Sequence, residues 1–295
     1  MYIFELAAFA AAFCWALGGY LAAGPSQHLG AFSFTRLRMA QVLLMLSTLV
    51  IIQNTWASVI ADFWMICLSG LIGIFLGDTA LFATMRRIGP RRTAVMFAAN
   101  GPFGALLGYV FLGEVLETNK LVGCSIVVAG VIIAILYGRN NHNVHHLEKT
   151  HGPLWVALLM GLIAAFCQAA GAILVKPALQ AGADPIAVST LRVAVSVLML
   201  MLLLLLPTSL FRAQKPLTRA IFWRTAVSGL LAMAVGMTLV LFALSGGKVG
   251  VVTVLSSTSP ILVLPILWFT TRQQPTIGAW IAAILVVIGS VLIFI

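Results

Sequence analysis

The chain has 295 residues, of which 62% are hydrophobic and 8% are charged. Because soluble domains carry about 25% charged residues, this composition excludes a water-soluble protein. The net charge of +10 does not indicate nucleic-acid binding, since the basic residues lie in short loops and form no stripe with interleaved aromatic residues. The composition therefore predicts a protein that crosses the membrane several times.

Apolar runs recur along the whole chain. A run of about twenty residues crosses a hydrocarbon core of ~30 Å as a helix. Backbone polar groups in lipid must pair internally, and runs without strand alternation can do so only as helices. We predict an all-α protein with ten transmembrane helices, at residues 3–22, 31–52, 62–85, 93–112, 120–137, 154–175, 185–206, 221–244, 249–270 and 276–295.

The second half of the sequence repeats the first. Residues 11–18 (AAFCWALG) correspond to residues 164–171 (AAFCQAAG). Each half contains five predicted spans, an odd number, so two copies in one chain must cross the membrane in opposite directions, as in one class of transporters. Further matched pairs are Arg38 and Arg192, Ser69 and Ser228, Gly70 and Gly229, Pro102 and Pro260, and Gly130 and Gly289.

The repeat predicts the division of the chain. We expect a first five-helix repeat at residues 1–138, a polar linker at 139–152 and a second five-helix repeat at 153–295. The linker contains His145, His146 and Glu148, which resemble a metal site, but their spacing matches no defined one. We interpret the linker as a solvated connection, with a metal or pH-sensing site as the alternative, and we expect no metal and no cofactor.

The basic residues predict an orientation. Of the 17 lysines and arginines, thirteen lie in or beside alternate loops and four on the opposite side. Cytoplasmic loops carry the excess of lysine and arginine. This distribution predicts that both termini are periplasmic and that the linker is cytoplasmic.

Candidate site residues are found where the two halves differ, because shared packing alone would preserve similar residues. The mid-span differences are Trp15 against Gln168, Asp78 against Met237, and Asn100 against Thr258 or Ser259. Trp15, together with Tyr20, Phe82, Phe97 and Tyr109, could also line an aromatic site, although isolated aromatic residues in spans usually serve packing.

Asp78 is the only acidic residue well inside a predicted span. A carboxylate at that depth costs about 2.5–3.5 kcal/mol on insertion scales, so it is usually functional or paired. One interpretation is a counter-charge for a substrate ammonium group or a proton-coupling carboxyl group. The alternative is a structural ion pair, for which Arg86 and Arg87 at the end of the same helix are candidates.

Arg38 and Arg192 occupy matched positions about two turns inside their helices, a depth from which arginine can reach the membrane interface. Their presence in both halves favours a structural role, and the alternative is binding of a substrate carboxylate through the guanidinium fork. Pro102 and Pro260 each remove a backbone donor in the fourth and ninth spans. These prolines mark either hinges or static kinks.

The arrangement of spans resembles a known family. Three features carry the resemblance: ten spans in two five-span halves, Arg38 and Arg192 near the start of the second span of each half, and Pro102 and Pro260 in the fourth span of each half. In these features the chain resembles the EamA-type permeases of the drug/metabolite transporter superfamily, which include bacterial amino-acid and metabolite exporters. The resemblance implies that spans 1–4 and 6–9 surround a central cavity, with spans 5 and 10 at the periphery. Glu114 matches an acidic position of that family, and its counterpart here is Gln273.

These features predict a secondary active transporter of the bacterial inner membrane that exports amino acids or similar small metabolites. An intramembrane enzyme would need a nucleophile, base or metal cluster at membrane depth, and the spans contain no such set. A channel or a non-transporting receptor is the alternative, although a channel would need a ring of like polar groups. Because one chain contains both inverted halves, a monomer can suffice, with the lipid bilayer and a small molecule as the expected partners.

Overall fold

The computed structural model describes residues 3–112, 118–137, 152–246, 255–256, 258–272 and 274–294. Within these ranges the regular structure is entirely helical. Most of the predicted linker, Glu114, Gln273 and Ile295 lie outside the described residues. The α-helices are α1 (Ile3–Leu29), α2 (Ala31–Gln53), α3 (Phe63–Ser69), α4 (Gly77–Phe97), α5 (Asn100–Leu112), α6 (Thr118–Tyr137), α7 (Leu154–Gln180), α8 (Pro185–Leu202), α9 (Arg219–Gly229), α10 (Thr238–Gly246), α11 (Ser259–Thr271) and α12 (Ile277–Phe294).

Each predicted span coincides with helix in the described part of the chain. Six helical stretches are long and apolar enough to cross a membrane by length and composition, and three further apolar helices are shorter. The six stretches are Ile3–Leu29, Ala31–Gln53, Phe63–Phe97, Leu154–Gln180, Pro185–Leu205 and Arg219–Ser245. The predicted all-α membrane architecture in two repeats is confirmed.

The third and fourth predicted spans follow one another almost without a loop. Gly89 has a φ of 83° inside α4, a conformation that glycine adopts at little cost. Pro90 follows it, and proline is well suited to begin the next helical segment because it has no N–H to pair. The chain therefore kinks here, and we assign the segment after Gly89 to the beginning of the fourth span.

Two regions depart from α-helix at matched places in the repeat. Residues Gly70–Leu76 join α3 to α4 as a π-helix, and residues Leu230–Met237 join α9 to α10 in the same way. π-helical turns are rare and occur frequently at functional sites. The apolar runs at residues 62–85 and 221–244 predicted continuous helices, and the structure differs from that prediction by these two π-helical segments.

The two halves are joined by equivalent hydrogen bonds. Ser69 Oγ donates to the Gly171 carbonyl oxygen at 2.6 Å, and Ser228 Oγ donates to the Gly18 carbonyl oxygen at 2.8 Å. Both serines and both carbonyls are buried. Since each bond runs from one repeat to the other and the partners are matched positions, the contacts obey the two-fold relation that the sequence predicts.

Small residues bring the helices together at these two crossings. A Cβ atom on Gly171 would lie 2.8 Å from Gly73 Cα, and one on Gly18 would lie 2.6 Å from Ala232 Cβ. The helices therefore touch backbone to backbone, which is a common means of helix association in membranes. The crossings place α1 against the second π-helix, and α7 against the first.

The predicted peripheral spans pack on one another. Helices α6 and α12, which correspond to spans 5 and 10, form a close pair. A Cβ atom on the matched glycines would overlap the partner helix, since it would lie 3.0 Å from the Ala282 carbonyl oxygen at Gly130 and 2.7 Å from the Gly123 carbonyl oxygen at Gly289. The remaining helices surround the interior of the protein.

The crossing at Gly171 predicts a stability effect. Gly171→Ala forces a methyl group against the backbone of Gly73, so we expect a loss of about 1–3 kcal/mol in the free energy of unfolding. Gly104→Ala is the matched control, because a Cβ atom at Gly104 meets nothing within 4 Å. That variant should be neutral or gain up to about 1 kcal/mol from helix propensity. Thermal unfolding of the purified variants in detergent measures both, and equal effects would contradict the packing argument.

Candidate functional site

A central cavity of about 100 Å³ lies between the two repeats. The first half contributes residues of α1, α2 and α4 to its wall, and the second half contributes residues of α7, the second π-helix and α11. Most of the wall is apolar. The residues of the wall include Trp15, Arg38, Asp78, Phe82, Phe97, Gln168, Met237 and Ser259.

An ion pair between Arg38 and Asp78 provides charged groups in the wall. Arg38 Nη1 donates to Asp78 Oδ2 at 3.2 Å, and the two side chains are only 5% and 12% exposed. Arg38 comes from α2 and Asp78 from the first turn of α4, so the pair links two helices of the first repeat. The alternative expected from the sequence, an ion pair of Asp78 with Arg86 or Arg87, is therefore wrong about the partner.

Arg86 and Arg87 have other partners. Arg86 Nη2 donates to Gln214 Oε1 at 2.6 Å, and Arg87 Nη1 donates to the Ala83 carbonyl oxygen at 3.0 Å. Gln214 belongs to the segment between α8 and α9, and its backbone N–H bonds to the Leu29 carbonyl oxygen. This segment therefore covers the C-terminal end of α1 and the part of α4 that contains Arg86.

Aromatic rings hold the Arg38 guanidinium in place. Its central carbon lies 4.9 Å from the centroid of the Phe82 ring. Phe34 meets Phe82 edge to face at 4.7 Å between centroids. A cation over an aromatic face gains about 0.5–2 kcal/mol, and more when water is excluded. Arg38 is thus fixed by Asp78 at one point and by Phe82 at another.

The matched arginine of the second half has different surroundings. Arg192 is 2% exposed, and its Nη1 contacts Met237 Sδ at 3.7 Å. Met237 occupies the position that matches Asp78, and it lines the cavity. The two repeats therefore build the same contact between a second and a third span, once with a carboxylate and once with a thioether.

Trp15 connects α1 to the second π-helix. Its Nε1 donates to the Ala232 carbonyl oxygen at 2.9 Å. A Cβ atom on Gly236 would lie 2.9 Å from Trp15 Cδ1, so the indole ring packs directly on the glycine backbone. The ring also lines the cavity. Its matched residue, Gln168, lies in α7 and lines the opposite part of the wall.

The fourth and ninth spans are interrupted beside their prolines. Residues 98–99 form a turn between α4 and α5, and Pro102 is the third residue of α5. Thr258 forms a turn immediately before α11, in which Pro260 is the second residue. Thr258 Oγ1 donates to the Leu255 carbonyl oxygen at 2.7 Å. The prolines therefore stand in the first turns of new helices and do not bend a continuous one.

The structure brings together five of the eight candidate binding residues. Trp15, Arg38, Asp78, Gln168 and Ser259 line the cavity. Arg192, Asn100 and Thr258 do not line it. Of the other aromatic candidates, Phe82 and Phe97 line the wall, whereas Tyr109 is 52% exposed on the outside and Tyr20 packs among apolar residues of α1 and α11.

Three contributors to the site were not predicted from the sequence. They are the two π-helices, the pairing of Arg38 with Asp78, and the role of Met237 in the wall. The pairing carried a signal in the sequence, because a carboxylate inside a span needs a counter-ion and Arg38 was one of the arginines that enter a span. The only signal for Met237 was its position opposite Asp78 in the comparison of the halves, since methionine is otherwise an ordinary residue of apolar helices.

Comparison with protein families identifies the class of this membrane protein as a transporter of the drug/metabolite transporter superfamily. The EamA-like transporter family matches residues 3–136 and again residues 155–295, so the chain belongs to that family. A crystal structure described only as that of a protein is 14% identical and superimposes with a TM-score of 0.72, covering 98% of this chain and 95% of its own. At that identity it supports the fold alone. None of the curated proteins compared with the chain matches it.

The Arg38–Asp78 pair predicts a pattern of stabilities. Removing one member of a buried ion pair leaves an uncompensated charge and costs about 3–5 kcal/mol, so Arg38→Gln and Asp78→Asn should each lower the free energy of unfolding by that amount. The double variant should be less destabilised than the sum, with a coupling of about 0.5–3 kcal/mol. Unfolding in mixed micelles measures the cycle.

Arg192→Gln is the control for this cycle. Within the described residues Arg192 forms no ion pair, so its replacement removes a buried charge without stranding another. We expect a smaller loss than for Arg38→Gln. A strictly additive double variant, or an equal loss at Arg192, would contradict the assignment of the pair.

Proposed function

We propose that the protein is a secondary active transporter that moves a small metabolite, such as an amino acid, out of a bacterial cell. The observation that carries the proposal is the cavity between the two inverted halves, with a buried ion pair in an otherwise apolar wall. Binding sites of transporters built from inverted repeats lie at the repeat interface near the middle of the membrane. The family membership supports transport, and the export of amino acids is an extension from the sequence resemblance.

The proposal includes a topology. Ten membrane crossings are expected, formed by the six long helical stretches, the shorter apolar helices and the interrupted fourth span. The inner membrane of a bacterium is the proposed location, with both termini in the periplasm and the linker in the cytoplasm. The repeats are proposed to divide at the linker of residues 139–152, and a monomer is proposed to be the working unit.

The cavity residues receive proposed roles from their chemistry. The Arg38–Asp78 pair provides fixed charges that can orient a charged solute in a dry pocket. Trp15, Phe82 and Phe97 provide apolar surface for its body, and Gln168 and Ser259 provide hydrogen-bonding groups. Such a distribution, with few polar groups in an apolar wall, is usual for small-molecule sites.

The proposed mechanism is alternating access. Two halves with similar packing can exchange conformations, so that the cavity opens first to one side and then to the other. The turns at residues 98–99 and at Thr258 are the proposed bending points. There the N–H groups of Ala99 and Thr258 bond to carbonyl oxygens only three residues back, those of Met96 and Leu255, a pattern with poorer hydrogen-bond geometry than α-helix. Pro102 and Pro260 would hold those interruptions open by preventing a continuous helix.

Transport into liposomes tests the proposed function. The purified protein is reconstituted, and uptake of labelled amino acids is measured with and without an imposed proton gradient and in counterflow. We expect saturable uptake and acceleration by unlabelled solute on the opposite side, because a carrier exchanges solute as it cycles. Flux that increases linearly with concentration would indicate a channel, and binding without flux would indicate a receptor.

The prolines predict a kinetic effect. Pro102→Ala and Pro260→Ala restore a backbone donor and should extend the following helix across the interruption, favouring one orientation of the cavity. A bias of 1.4 kcal/mol changes populations about tenfold, so turnover should fall about tenfold while the affinity for solute changes little. Initial rates and equilibrium binding measure the two quantities.

Pro177→Ala serves as the matched control, because Pro177 is exposed within the continuous helix α7. That variant should transport at nearly the wild-type rate. Wild-type turnover in both Pro102→Ala and Pro260→Ala would show that the prolines are static features.

A further inference from the structure

The two repeats carry unequal charge beside the cavity. In the first repeat, Arg38 is neutralised by Asp78 at 3.2 Å. In the second repeat, the matched Arg192 faces Met237, a neutral residue. Arg38 and Arg192, two buried guanidinium groups, thus lie near a single carboxylate, that of Asp78, which leaves these three residues with one excess positive charge.

Arg192 is poorly satisfied by the protein itself. Its Nε has no hydrogen-bond partner among the described residues, and the contact of its Nη1 with Met237 Sδ, at 3.7 Å, is to a weak acceptor. The side chain is 2% exposed. A buried charge without hydrogen bonds or a counter-ion is strongly unfavourable, so the site has an electrostatic reason to recruit an anion.

The packing holds Arg192 next to the cavity wall. A Cβ atom on Gly73 would lie 2.9 Å from Arg192 Nη2, so the absence of a side chain there leaves room for the guanidinium group. Met237, the residue that Nη1 touches, is part of the wall. Asp78, also in the wall, interacts electrostatically with Arg192 as well as with Arg38. The excess positive charge of Arg192 is therefore separated from a solute in the cavity by the side chain of Met237 alone.

We infer that the cavity selects solutes that carry a carboxylate, and that Met237 sets this selectivity by leaving the charge of Arg192 uncompensated. A carboxylate entering the apolar cavity brings the missing negative charge to the cluster of Arg38, Asp78 and Arg192. The surrounding apolar surface of Trp15 and Phe97 suits a short hydrocarbon body. This inference rests on the proposed function, because it names the class of molecule that the same cavity binds.

The alternative is that one carboxylate suffices for both arginines as a purely structural cluster. Asp78 would then share its charge, and the cavity would not distinguish an acid from its amide. The alternative and the inference differ in what they predict for solutes of similar size and different charge. Four such molecules are valine, isobutyrate, isobutyramide and isobutylamine, which share an isopropyl group, and of which isobutyrate and isobutyramide have nearly the same shape.

The test measures equilibrium binding of these four molecules to the full-length protein in detergent, by calorimetry and by the shift in thermal unfolding. Wild-type protein should bind isobutyrate and valine at least tenfold more tightly than isobutyramide and isobutylamine. Equal binding of acid and amide, or no binding of either acid, would overturn the inference.

Met237→Asp and Met237→Asn provide the variant test, since these side chains are nearly equal in size and differ in charge. Met237→Asp supplies Arg192 with a carboxylate, as in the first repeat, and should weaken binding of the acids at least tenfold relative to Met237→Asn. Equal affinity of the two variants for isobutyrate would overturn the role of Met237. If Met237→Asp does not fold, the comparison of acid and amide in the wild type still decides the proposal.

The binding test separates this inference from the proposed function. Preference for carboxylates in detergent without movement of any solute in liposomes would refute transport and leave the selectivity standing. Saturable, exchangeable transport in liposomes without a preference for the acid over its amide would refute the selectivity and leave transport standing.

Discussion

The structure depends on two equivalent crossings at which helices of opposite repeats touch backbone to backbone. At one, Ser69 donates to the Gly171 carbonyl oxygen, and at the other Ser228 donates to the Gly18 carbonyl oxygen. In a membrane no hydrophobic force drives helices together, so close packing and interhelical hydrogen bonds must do so. These crossings bring Trp15 and Gln168 to the cavity from α1 and α7. They also place the third and eighth spans beside the cavity. As a result, Asp78 of the third span and Met237 of the eighth both lie in its wall.

The second repeat shows that the fold does not require a carboxylate at this position. Its arginine, Arg192, is buried against Met237 in the same arrangement that buries Arg38 against Asp78. A buried arginine without a counter-ion is unfavourable, so stability does not favour Met237 at the position where the first half has Asp78. A preference of the cavity for carboxylates, as inferred above, would explain this difference between the halves. The two halves are alike in their helix crossings, and they differ at Asp78 and Met237, the matched residues that determine the charge of the cavity wall.

The sequence was sufficient for the architecture and only partly sufficient for the site. The repeat at residues 11–18 and 164–171 and the apolar runs predict the helices, because helix length and internal pairing follow from the bilayer itself. Comparison of the halves identified Trp15, Asp78, Gln168 and Ser259, all of which line the cavity. The partner of Asp78 was missed because pairing depends on how helices are rotated about their axes, which periodicity cannot determine in helices that are apolar on every side. The π-helices were missed because their local sequences, Gly70–Leu76 and Leu230–Met237, resemble ordinary apolar helix.

The π-helices connect the crossings to the cavity. Each begins within two residues of the serine that bonds across the repeats, and each ends within two residues of the position that distinguishes the two halves, Asp78 in the first and Met237 in the second. In the second half Trp15 bonds to the Ala232 carbonyl oxygen within the π-helix and lies on the Gly236 backbone. π-helical turns occur frequently at functional sites. A return of this segment to α-helix would change the register of the residues after it, and would move Met237 relative to Arg192 and the Ala232 carbonyl relative to Trp15. Under the proposed alternating-access mechanism, this segment of backbone would therefore couple the binding of a solute to the repacking of the helices.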